Sequence, residues 1–91
     1  MHVSTLEVRL HLPGARTLKD KRQIVRSILD RARSRFRVAA AEVGENDVYR
    51  IAVLGFAAVS GSASHAEEVI GKLLDALYVH PSARVIEHEI G

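Results

Sequence analysis

The sequence predicts an α+β domain in which two helices cover one face of a four-stranded antiparallel sheet. Three observations predict it. Apolar residues alternate at a period of two near the start, which marks a strand with one wet face. Two later stretches carry apolar residues at helical spacing behind capping signals. Between those helices lie two strand-like runs joined by a short polar connection.

In the first strand Leu6, Val8, Leu10 and Leu12 alternate with Thr5, Glu7, Arg9 and His11, so even positions face inward. Pro13-Gly14 ends it, because proline gives no donor to a ladder and Pro-Gly favours a turn. Thr17-x-x-Asp20 opens a helix expected to run to about Phe36. At about 100° per residue, Ile24, Val25, Ile28, Leu29, Ala32 and Phe36 share an arc of about 140°. Lys19, Arg22, Arg26, Arg33 and Arg37 line one flank of that arc, and Arg31 and Arg35 line the other.

A second strand is expected over Val38 to Val43, a polar hairpin at Gly44-Glu45-Asn46-Asp47, and a third strand over Val48 to Ser60. From Ile51 onward the third strand is apolar on both faces, as in a central strand. Gly55 within it suggests a bulge or a close backbone approach. Ser64-x-x-Glu67 reads as a capping box for the second helix, whose Val69, Ile70, Leu73, Leu74 and Leu77 recur at helical spacing. Gly71 suggests close packing of that helix on the sheet, and His80-Pro81 ends it. Arg84 to Ile90 makes the last strand. The order strand, helix, strand, strand, helix, strand is the ferredoxin-like arrangement.

The chain has 91 residues and makes one domain, residues 1–91, with enough apolar content (47%) for an ordinary core. It has no cysteine, which excludes disulfide partners and thiolate metal sites. The start lacks the continuous apolar block of a signal peptide, and the longest apolar run, Ile51 to Val59, is too short to span a bilayer. The expectation is a cytoplasmic protein with no membrane partner.

The segments LEVRLHLPGARTLKDKR and VAAAEVGENDVYRIAVLGFAAVS, with the basic helix between them, resemble the YlxP-like family, domain of unknown function 503. The resemblance covers nearly the whole chain. Its most specific part is His11-Leu12-Pro13 with Leu18-Lys19-Asp20-Lys21-Arg22, and Ala41-Glu42-Val43 and Val59-Ser60 support it. It implies a ferredoxin-like fold, in agreement with the element order. The family has no established catalytic residues, so the resemblance carries over no active site. Its bacterial members are often encoded beside translation-initiation and ribosome-maturation genes, which implies by association a role near the ribosome.

Charge is the main functional clue in the residues themselves. Of 13 Lys and Arg, ten lie between Arg9 and Arg37, opposed only by Asp20 and Asp30, so this stretch carries +8. The remaining three basic and nine acidic residues carry −6, within a net charge of +2. Arg16, Lys19, Arg22, Arg26, Arg33 and Arg37 are the candidate nucleic-acid-binding residues, because guanidinium and ammonium groups hold phosphates and release counterions. The competing reading is a solvated face, with arginine stems lying over the edge of the core. The start of the same helix, with Arg16, Lys19 and Lys21, suggests a small-anion site of regulatory kind as a lesser alternative.

The second candidate surface is the uncovered sheet face. The third strand directs either Leu54 and Phe56 or Ile51, Val53 and Val59 to it, and Leu54 and Phe56 are the candidate interface residues for self-association. RNA-recognition domains share the strand order and stack bases on central-strand aromatics, but the first strand here offers none. No His-x-x-x-His spacing occurs, and only His2 and His88 would approach each other if the outer strands pair, so no metal and no cofactor are expected. Ser62, Ser64, His65 and Asp75 lack a nucleophile elbow, and no catalytic set is expected.

Overall fold

The computed structural model describes residues 1–91. Its elements are β1 (His2–His11), α1 (Leu18–Arg31) running into a π-helical turn (Ala32–Phe36), β2 (Ala39–Gly44), β3 (Ile51–Ser60), α2 (Ala63–Tyr78) and β4 (Arg84–Ile90). The strands form one antiparallel sheet in the order β2-β3-β1-β4, the ferredoxin-like topology. No helix is long and apolar enough to cross a membrane.

Register decides which face of β3 is wet. Leu6 pairs with Phe56, Val8 with Leu54 and Leu10 with Ala52. Residues directly opposite in an antiparallel pair share a face, so β3 presents its even positions to the same core as β1. That corrects the assignment of Leu54 and Phe56 to an interface. Both are buried beneath the helices, with Val25, Ile28, Leu29, Ile70, Leu73 and Leu77 in the same cluster. The uncovered face instead carries Ile51, Val53, Gly55, Ala57 and Val59 from β3, beside Thr5, Glu7, Arg9 and His11 from β1.

Several local expectations shift. The strand after the hairpin starts at Ile51, leaving Val48, Tyr49 and Arg50 in the connection. Ser62, not Ser64, caps α2: its backbone is extended and its hydroxyl accepts from the His65 amide at 3.3 Å. Ser64 already lies within the helix. Gly71 has open space where a Cβ would stand, so it serves no close packing. Gly55 does meet a near neighbour, since a Cβ there would lie 3.1 Å from Cγ1 of Val43. The irregularity of the β2–β3 ladder falls between Glu42 and Gly44 on β2, and the β1–β4 ladder shifts between Arg9 and Leu10. The first helical stretch reaches Phe36 as expected, but α1 gives way after Arg31 to the π turn, closed by Arg37 in the left-handed conformation (φ 55°).

Candidate nucleic-acid interface

The basic stretch is built on a well-capped helix start. Thr17 is extended, and its hydroxyl accepts from the Asp20 amide at 3.1 Å. The Asp20 carboxylate accepts in turn from the Arg16 amide at 3.0 Å. A carboxylate of the chain's own therefore takes up the Arg16 amide, and Lys21 points away from the helix start into the core. Arg16 and Lys19 are the exposed cations that remain at this helix start.

Lys21 is only 1% exposed. Its ammonium donates to the carbonyls of Glu45 (2.6 Å) and Val48 (2.7 Å) and lies 2.9 Å from Oε2 of Glu42. That third contact is an ion pair without hydrogen-bond alignment, leaving Glu42 Oε2 buried and held by charge alone. An ammonium has three donors and two of them here satisfy the β2–β3 connection directly. Lys21 thus fastens the connection to α1, while Arg9 reaches Glu45 of the same connection at 3.4 Å. Sequence reasoning grouped Lys21 with the surface cations. The signal was present: at about 100° per residue Lys21 falls inside the apolar arc, one turn before Val25 and two before Ile28.

Arg16, Lys19, Arg22, Arg26, Arg33 and Arg37 are all exposed, as the flank geometry requires. Lys19, Arg22 and Arg26 follow one line over about 10 Å of helix. The molecule makes four ion pairs: Arg9–Glu45, Lys21–Glu42, Arg33–Asp30 and Lys72–Glu68. Of the nine Lys and Arg outside these pairs, seven lie on α1, its π turn or their flanks: Arg16, Lys19, Arg22, Arg26, Arg31, Arg35 and Arg37. Arg33 differs from its neighbours. Besides the pair with Asp30, it donates to the Ala40 carbonyl of the outer strand β2 at 2.6 Å.

The other sequence candidates separate in space. His2 pairs with Ser60 and His88 with Val8, six positions further along β1, so the two histidines sit about 20 Å apart. His88 shares a hydrogen bond with the Tyr78 hydroxyl at 3.1 Å. Phe56 is buried, leaving the uncovered face of the central strands without a Phe, Tyr or Trp ring. Tyr49 is exposed in the β2–β3 connection, with the Arg50 guanidinium 5.5 Å from its ring centre. The imidazole of His80 titrates below its ordinary value of 6.5, chiefly because burial disfavours its charged form and secondarily because the Arg31 charge is near.

A family model described as "Protein of unknown function (DUF503)" matches residues 3–90. The uncharacterized protein YlxP of Bacillus subtilis (strain 168) is 35% identical over 60 residues, 66% of this chain and 65% of that protein. The match thus spans just under two thirds of that relative's length.

Proposed function

The chain belongs to the DUF503 family, and on that premise we propose that it is a non-enzymatic protein that binds structured RNA, in the setting of the ribosome, through the exposed side of α1. The observation that carries this reading is the run of Lys19, Arg22 and Arg26 along α1, extended by Arg16 and Arg37, that no carboxylate of the chain pairs. Charges placed for stability alone would be expected beside opposite charges, as Lys72 is beside Glu68 one turn away. A row of unpaired guanidinium groups on a rigid helix instead matches a phosphate backbone, which it neutralises without reading sequence. Lys19, Arg22 and Arg26 form the centre of the contact, and Arg16 and Arg37 extend it.

The test is binding to small ribosomal subunits and to bulk structured RNA across a salt series, beside Lys19→Glu/Arg22→Glu/Arg26→Glu. With about four phosphate contacts the log–log salt slope should lie near −3 to −4, and the variant should lose most of it. Arg33 is left unchanged in this variant because its guanidinium also holds β2. Absence of saturable binding at low salt, or an unchanged slope in the variant, overturns the reading.

A second reading, self-association through the uncovered sheet face, is favoured by one observation. Val43 of β2 and Val59 of β3 are both more than half exposed, next to half-buried Val53 and Ala57. An apolar strip of this kind suits a second copy of the chain.

A further inference from the structure

A cleft opens on the helical side of the molecule, away from Lys19, Arg22 and Arg26. It lies between the π turn and the last turn of α2, with Ala32, Phe36, Leu77 and Val79 among its walls. Its volume is about 220 Å³. That falls short of the roughly 300–1,000 Å³ of sites for drug-sized ligands. The occupant is therefore small. One aromatic ring or a short hydrocarbon chain fits.

Two cations stand at the cleft. The Arg35 guanidinium lies 5.3 Å from the centre of the Phe36 ring, and Arg31 lies close enough to His80 to influence its titration. Neither arginine makes an ion pair within the chain. The π turn that carries Arg35, with Arg31 immediately before it, breaks the α-helical spacing, and π segments recur at functional sites. A hydrocarbon cleft beside two unmatched guanidinium groups has a defined chemical complement. We propose that it binds a small apolar carboxylate, with the hydrocarbon against Ala32, Phe36 and Leu77 and the carboxylate on Arg31 and Arg35.

The probe is 3-phenylpropionate, titrated into the full chain and followed by amide chemical shifts, with 3-phenylpropan-1-ol and acetate as controls. The expected result is saturable shifts centred on Ala76, Leu77 and Val79 below about 1 mM, with both controls at least roughly tenfold weaker. Arg31→Gln/Arg35→Gln should weaken binding by roughly tenfold or more while leaving the rest of the spectrum in place. Ala76→Leu, which fills the cleft, should weaken it comparably. Lys19→Glu/Arg22→Glu/Arg26→Glu should bind the probe as the wild type does, which separates this site from RNA binding. No saturation, equal binding of the alcohol, or unchanged affinity in either cleft variant overturns the proposal.

Discussion

An ammonium with about 1% exposure must be matched by the fold or it neutralises, and Lys21 is matched at three points. Replacing it breaks a buried pair from one side: Glu42 keeps its charge without a counterion, and two carbonyls lose their donor. Lys21→Met should therefore cost about 3 kcal/mol or more in urea unfolding. Adding Glu42→Gln should recover part of that loss, because the remaining side chain then carries no uncompensated charge. If Lys21→Met unfolds at the wild-type midpoint, the ammonium is not what fastens the β2–β3 connection. Arginine is no substitute here, since a planar fork cannot reach the Glu45 and Val48 carbonyls and the Glu42 carboxylate from one point as an ammonium does.

Among the elements, α2 offers the cleanest test of backbone against packing. Gly71 lies within its span and nothing stands within 4 Å of where its Cβ would be. Gly71→Ala should then stabilise the protein by about 0.5–1 kcal/mol, through lower entropy of the unfolded chain and better helix propensity. A higher thermal midpoint would confirm it, and a lower one would mean that α2 needs the glycine. The sequence suggested the opposite role for Gly71, and the reason is instructive. A glycine in a helix reports only that a side chain is missing, not what stands opposite. Elements with a single wet face were legible in the same sequence, as Leu6, Val8 and Leu10 show. The inward face of β3 was not, because a strand apolar on both sides gives no preference until pairing with β1 selects one. The basic flank of α1 was legible from angle alone. Lys21 was obscured because residue type was weighed above its angle, and the cleft because it needs α2 and the π turn brought together.

Across the whole molecule, the two candidate surfaces lie on different sides. Unpaired cations follow α1 and its π turn, whereas the exposed valines of β2 and β3 lie on the sheet face away from the helices. The two readings of function therefore predict opposite salt responses, polyanion binding weakening with salt and an apolar sheet contact persisting. If the sheet face joins two copies, Val53→Lys/Val59→Lys should give a folded monomer by sedimentation while the wild type sediments as a dimer at any salt. An unchanged sedimentation profile would remove that reading. Lysine at Leu54 or Phe56 would report only on folding, since both lie in the core. Strand β2 has a sheet neighbour on one side only and is short and rich in alanine. Open strand margins of this kind invite other chains to add on, and such growth ends in aggregates. The Arg33 guanidinium bonded to the Ala40 carbonyl takes one of the acceptors that an incoming strand would need. One arginine among the many on this helix thus helps keep the protein dispersed when it is concentrated.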